Sequence, residues 1–335
     1  MKTASYTANQ PAIADQTLRR LLGRLKIRHL SLLLQIRQHG SLTRVAEQMA
    51  TSQPAITQSL AELEDMFGAR LFHRTAKGML ATPIGEIVLA RARTILNDLD
   101  LLTRDLHAST SGRRGHLHIG AMLSISEMQL AKAIQRTRER QPDMTISIQN
   151  GSATALLDLL REHALDLVVA RLTDSIDMAG LHHEVLYHQS PRLVASRMTA
   201  GQLGRRRLDW GILREMDWVT GPRDTPLRQQ INAIFMRSGM APPEPATECH
   251  SPHLIGRIIA ANDDAVSILP ADVAEDLAPI TGMAIVPYSF DWSLPPVAMF
   301  TRSGEMPHRL SQDFATALRD LCTPSAAPLR GDYDY

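Results

Sequence analysis

Residues 41–75 encode two short helices separated by only two or three turn residues. Val45, Ala46 and Met49 share one face of the first. Ser52 is placed to cap the second, in which Ile56, Leu60, Leu63 and Phe67 recur at spacings of four, three and four and draw one apolar stripe. The opposite face opens with Gln53, Thr57 and Gln58, short polar groups suited to hydrogen-bond base edges or phosphates in a major groove. Pro54 falls at the second helical position, where a missing N–H costs little. Two packed helices with a polar-fronted second one read as a helix-turn-helix, although periodicity alone also fits an ordinary helical hairpin in an all-α layer.

The chain around this pair has 335 residues, enough for two or three domains. Its 44% apolar and 21% charged content indicates a folded, soluble protein, and no apolar run approaches transmembrane length. The first 26 residues lack an apolar core with a small-residue cleavage site, so no signal peptide is expected. Two cysteines, Cys249 and Cys322, are too few for a disulfide scaffold and fit the cytoplasm. The net charge of +1 conceals an asymmetry. Residues 1–110 carry 14 Lys/Arg against 9 Asp/Glu, and residues 111–335 carry 22 against 26. A basic head on a mildly acidic body suits nucleic-acid binding coupled to a second task.

Residues 1–25 form an N-terminal extension, with a helical tendency from Thr17 to Leu25. A helix is predicted from Ile27 to Gln38 with Leu30, Leu33, Leu34 and the aliphatic part of Arg37 inward. Beyond Gly68, Leu71-Phe72, a basic turn with Arg74 and Lys77-Gly78, and an extended segment from Met79 to Ala81 read as a two-stranded wing. Thr82-Pro83 opens a long helix in which Val88, Ala92, Ile95, Leu99, Leu102 and Leu106 form a heptad-like seam, expected to pair two chains. Residues 109–115 break that pattern. Strands and helices then alternate, among them the buried-strand run Leu165–Ala170, and predict two small α/β lobes joined by two crossovers with a cleft between them.

The chain resembles a LysR-type transcriptional regulator. The resemblance rests on RHL (28–30), HGSLTRVAEQM (39–49), TSQPAITQSLAELEDMFGARLFHRT (51–75) and LATPIGE (80–86), in that order and spacing. It is firm over about residues 26–110 and looser to about 322. It implies an α+β multidomain architecture: a winged helix-turn-helix over 26–82, a linker and dimerisation helix over 83–109, and a two-lobed effector-binding domain resembling periplasmic binding proteins over 115–325. Lobe I would span about 115–189 and 293–322, and lobe II about 192–288. The resemblance also implies a homodimer or homotetramer acting in the bacterial cytoplasm on promoter DNA, with RNA polymerase as a partner and no membrane contact. Its groove positions correspond to Gln53, Pro54, Thr57 and Gln58, and its wing to Arg74 and Lys77. Gln58 stands where many members carry a basic residue, so at least one contact should differ.

By position, the effector site comprises Ser124, Ser126, Ser152 and Thr154 from one lobe and Thr220, His250 and Ser251 from the other. Short hydroxyls beside helix N-termini suit a carboxylate, although Ser126 and Ser152 also read as simple helix caps. The effector itself is an unidentified small metabolite. No metal or other cofactor is expected. His182, His183 and His188, and His250 with His253, match no compact metal pattern. Neither thiol is marked as redox-active, and Cys249 is expected to line the pocket. Arg205-Arg206-Arg207 reads as a solvated face or an oligomer contact, and Asp263-Asp264 as an acidic turn. An enzyme is the rival class for the body, yet no nucleophile elbow, phosphate loop or ligand cluster occurs.

Overall fold

The computed structural model describes residues 18–76, 78–110, 115–205, 207–304 and 309–322. Lys77, Arg206 and residues 1–17 of the N-terminal extension lie outside them. The chain divides into two compact units, one running to Leu106 and one from His107 onward, with Glu162–Ala164 grouping with the first.

In the first unit, α1 (residues 18–24) precedes α2 (Ile27–His39), α3 (Leu42–Gln48) and α4 (Gln53–Phe67), followed by strands β1 (Phe72–Thr75) and β2 (Gly78–Ala81) and by α5 (Pro83–Thr110). Each helix start has a local cause. Ser41 Oγ accepts from Arg44 N–H at 3.5 Å, and Ser52 Oγ accepts from Ala55 N–H at 3.4 Å. His29 Nδ1 accepts from the backbone N–H of Lys26 at 3.2 Å. Gly68 ends α4 at φ +69°, in the left-handed region that glycine enters without strain. Leu33, Ile36, Val45, Ile56, Leu60, Leu63, Leu71 and Phe72 close the core. The inward face of α2 is Leu30, Leu32, Leu33 and Ile36. Arg37, expected to contribute its aliphatic part there, instead lies outside and pairs with Glu86 at 3.1 Å.

Two features fix the wing to this core. Glu64, one helical step beyond the buried Leu63, accepts from Leu71 N–H (2.8 Å) and Phe72 N–H (3.3 Å) through Oε1. Thr82 donates its hydroxyl to the Arg70 carbonyl (2.8 Å) and accepts from Gly85 N–H (2.9 Å), so it caps α5 while holding the end of the wing.

The second unit contains two five-stranded mixed sheets. Lobe I has the order β4-β3-β5-β12-β6, from β3 (His116–Met122), β4 (Thr145–Gly151), β5 (Leu167–Arg171), β6 (Leu181–Tyr187) and β12 (Val297–Arg302). Helices α6 (Glu127–Arg140), α7 (Ala153–Arg161) and α13 (Arg309–Cys322) belong to it. Strands β3, β4 and β5 run parallel, and β12 runs antiparallel to both β5 and β6. All five residues of β5 are buried, as a central strand covered on both faces requires. One face packs through Leu117, Ile119 and Phe314, the other through Leu156, Leu160 and Phe300.

Lobe II has the order β11-β7-β10-β8-β9, from β7 (Pro191–Ala195), β8 (Asp217–Thr220), β9 (Thr247–Glu248), β10 (Ala265–Pro270) and β11 (Ala284–Ile285). Its helices are α8 (Arg197–Leu203), α9 (Trp210–Arg214), α10 (Pro226–Arg237), α11 (Pro252–Ala261) and α12 (Ala271–Thr281). The chain passes between the lobes twice, after β6 and after β11, and Leu294 N–H donates to the Gln189 carbonyl (2.9 Å) where the two passages meet. Helix α12 is absent from the sequence-based expectation, because an internal Pro279 and a start directly from the buried strand β10 hide its boundaries.

Candidate DNA-binding surface and effector cleft

Gln53, Pro54, Thr57 and Gln58 are all solvent-exposed on the first turns of α4, opposite the buried Ile56, Leu60 and Leu63. They are mutually ordered. Gln53 Nε2 donates to Thr57 Oγ1 (3.1 Å), Thr57 Oγ1 donates to the Gln53 carbonyl (3.0 Å), and Gln58 Nε2 donates to Glu62 Oε1 (3.0 Å). These links hold the polar face in one arrangement and leave both Gln carbonyl–amide heads free to exchange partners at modest cost. Arg74 is exposed on β1 of the wing, and Thr75 Oγ1 donates to the Gly78 carbonyl (3.0 Å) across its tip.

On α5 the predicted seam is divided. Ala92 is only 1% exposed, so this part of the seam is not available to another chain, and the neighbouring Leu89 packs into the unit's own core. Ile95, Leu102 and Leu106 remain 40%, 53% and 59% exposed, and Ile84 and Ile87 join them at 49% and 66%. At 3.6 residues per turn, these five positions fall within an arc of about 100°. The five apolar positions thus share one side of the helix, with Arg91 and Asp98 falling among them.

In the second unit, the carboxyl ends of both parallel strand sets carry the expected hydroxyls. Ser124 lies in the loop after β3, where Arg171, at the end of β5, binds it twice: Nη1 to Oγ (3.0 Å) and Nη2 to the carbonyl (3.2 Å). Arg171 also donates to Gln189 Oε1 through Nε (3.0 Å) and Nη2 (2.7 Å). Burial pulls this guanidinium down to about 10, partly opposed by Asp272. In lobe II, Thr220 at the end of β8 accepts from Arg228 Nη1 (3.1 Å), and Arg228 Nη2 donates to the Pro243 carbonyl (2.9 Å). Arg228 is buried and its pKa is lowered by that burial. Its Nε, and Asn232 Oδ1 one turn further along α10, have no partner among the described residues.

The remaining expected residues are less engaged. Ser152 caps α7 through Ala155 N–H (3.3 Å), and Thr154 is exposed in its first turn. Ser251 caps α11 through Leu254 N–H (3.3 Å), beside the exposed His250, and its own N–H donates to Cys249 Sγ (3.3 Å). Ser126 is buried and does two things: it caps α6 through Gln129 N–H (3.1 Å) and donates to Asp276 Oδ2 of lobe II at 2.6 Å. Sequence reasoning did not find Arg171, Gln189, Arg228, Asp272 or Asp276. A charged residue closing a buried strand, as Arg171 closes LVVA, is the one local signal that marks any of them.

Among the described residues no group of three or more His, Cys, Asp or Glu side chains is arranged to hold a metal, and no helix is long and apolar enough to cross a membrane.

Residues 27–86 match the family model "Bacterial regulatory helix-turn-helix protein, lysR family", and residues 110–323 match "LysR substrate binding domain". The transcriptional regulator GbpR of Azospirillum brasilense is 27% identical over 311 residues, covering 92% of this chain and 90% of its own. GbpR of Rhizobium radiobacter is 30% identical over 254 residues, covering 75% and 83%. Among solved structures, CbnR, a LysR family transcriptional regulator, superposes with a TM-score of 0.62 at 18% identity over 89% of this chain and 99% of that one. Full-length CbnR in complex with its target DNA gives 0.62 at 20% identity, over 89% and 100%. A head with an exposed polar helix face, a long connecting helix and a two-lobed α/β body thus coincide with two family models that together span most of the sequence. The chain belongs to the LysR family of transcriptional regulators, DNA-binding proteins and not enzymes.

Proposed function

We propose that this regulator recognises an imperfectly palindromic promoter site through α4 and the wing, and that a small anionic metabolite bound between its two C-terminal lobes alters how it sits on that DNA. In this reading residues 26–82 form the DNA-binding head, 83–109 the pairing helix and 115–325 the effector domain. Gln53, Thr57 and Gln58 enter the major groove, Pro54 sets the entry of α4, and Arg74 with Lys77 meets the backbone beside it. Gln readily reads adenine through a bidentate contact, whereas a cation at position 58 would favour guanine or phosphate. The exposed stripe on α5 joins two chains, and the dimer, alone or doubled into a tetramer, presents paired heads to a two-fold site. Changed DNA bending then alters contact with RNA polymerase.

The observation that carries the effector reading is the pairing of each lobe's hydroxyl with a buried arginine: Ser124 with Arg171 and Thr220 with Arg228. Positive charge beneath hydroxyls at the carboxyl ends of parallel strands, with the starts of α7 and α11 nearby, favours an acid. Ser152, Thr154, His250 and Ser251 complete this set, and Ser126 is set apart by its bond to Asp276. The unpaired Arg228 Nε and Asn232 Oδ1 add polar capacity in the same lobe.

The test maps genomic binding, footprints the best site, and screens products of the neighbouring genes by thermal shift. Gln53→Ala or Thr57→Ala weakens specific DNA binding by about 10-fold, on the scale of about 1–3 kcal/mol for a base contact, and spares the thermal response to the effector. Ser124→Ala or Thr220→Ala does the reverse. Neutral sugars stabilising the protein where no acid does would refute the anionic effector, and losing both activities in both sets only through unfolding would refute the division of labour.

A further inference from the structure

The start of α6 is an anion-accepting helix end in lobe I, and it already holds a carboxylate from lobe II. Asp276 Oδ2 accepts from Ser126 Oγ (2.6 Å) and from Met128 N–H (3.2 Å). Ser126 Oγ in turn accepts from Gln129 N–H. Free N–H groups and the positive end of the helix dipole make such a position attractive to any carboxylate. One turn earlier on α12, Asp272 engages lobe I as well. Gln189 Nε2 donates to both its oxygens (2.8 and 2.9 Å), and Tyr187 Oη donates to Oδ2 (2.8 Å). Burial and this carboxylate together raise the pKa of the Tyr187 phenol, which keeps it a donor. Gln189 connects the same carboxylate to Arg171 and so to Ser124. The spacing i, i+4 puts both aspartates on one face of α12.

We infer that Asp276, seconded by Asp272, is a built-in clasp: a ligand-like carboxylate that the chain supplies to α6 itself, joining the two lobes. Ser126 is then the seat of the clasp, and the start of α6 is closed to an effector acid, which is left the other helix starts, at α7, α10 and α11. Only this last consequence rests on the effector reading above. The clasp stands on the hydrogen bonds themselves.

The test is rescue by a small carboxylate in the full chain. Hydrogen exchange is followed for the α6 start and for residues 186–190 in wild type, Asp276→Ala and Asp276→Asn, with sodium formate as probe and sodium chloride at equal ionic strength as control. Exchange in the alanine variant at Met128 and Gln129 is expected to be about 10-fold faster or more, since hydrogen bonds to a charged group exceed neutral ones. Formate, but not chloride, slows it again, while wild type is insensitive to formate there. Asp276→Asn, which conserves volume, exchanges at an intermediate rate without formate response and carries the test if the alanine variant does not fold. Wild-type exchange rates in Asp276→Asn, an alanine variant without formate rescue, or an equal formate response in wild type would each overturn the clasp.

Discussion

Gly85 is the third residue of α5, and an added Cβ there would stand 2.0 Å from the Leu71 carbonyl oxygen and 3.0 Å from its carbon. The same oxygen accepts from Thr82 N–H at 2.9 Å, so it cannot swing away without releasing the cap. Alanine usually stabilises a helix by roughly 1 kcal/mol relative to glycine. Here the neighbour is backbone, and relieving such an overlap costs about 1–3 kcal/mol or more. Strain therefore wins. Gly85→Ala is expected to destabilise the DNA-binding head by about 1–3 kcal/mol, measured by chemical denaturation followed at the head's own signals. An unchanged or raised stability would mean that the first turn of α5 does not lie on Leu71. Leu63-Glu64, Gly68 and Thr82-Pro83-x-Gly85 each serve the same passage, from α4 through the wing into α5.

At the scale of elements, α5 carries the clearest unpaired feature, its stripe of Ile84, Ile87, Ile95, Leu102 and Leu106. Replacing Ile95 and Leu102 together with serine removes two large apolar groups per chain and four per dimer. Burial of one such side chain contributes about 1.5–3 kcal/mol, so self-association should weaken by roughly 100-fold or more. Analytical ultracentrifugation checks this, and a double variant that stays fully dimeric at micromolar concentration would place the interface elsewhere. Helix starts, the recognition stripe and the α/β alternation were legible in the sequence because caps, periodicity and buried-strand composition are local signals. The division of the α5 seam was not, because the burial of Ala92, beside the core residue Leu89, arises only once the fold has formed. Helix α12 and its two aspartates escaped for a related reason. Their partners Ser126, Tyr187 and Gln189 lie 83–150 residues away in sequence, and no short-range pattern encodes a hydrogen bond of that reach. Ser124 and Thr220 were visible as hydroxyls at strand ends, whereas the arginines beneath them were not.

For the whole molecule, the grouping of residues predicts how it comes apart. The head has its own core around Leu33, Ile36, Val45 and Leu63, and both lobes fall into the second unit, bridged by Asp272 and Asp276. Two cooperative transitions are therefore expected in calorimetry, with the lobes melting together. Phe314, fully buried on α13 against Leu117, Val169 and Val297, reports on the second. Its replacement by alanine costs about 3–5 kcal/mol, which for a unit of roughly 200 residues lowers the midpoint by roughly 6–20 °C. Gly85→Ala should move only the other transition, by several degrees. Among the described residues, each variant touches a core cluster to which the other unit contributes no buried side chain. A thermogram in which both variants shift both transitions equally would show a single cooperative unit. The separate assignment of DNA recognition to the head and ligand response to the lobes would then need a coupling stronger than a connecting helix with one exposed apolar stripe supplies.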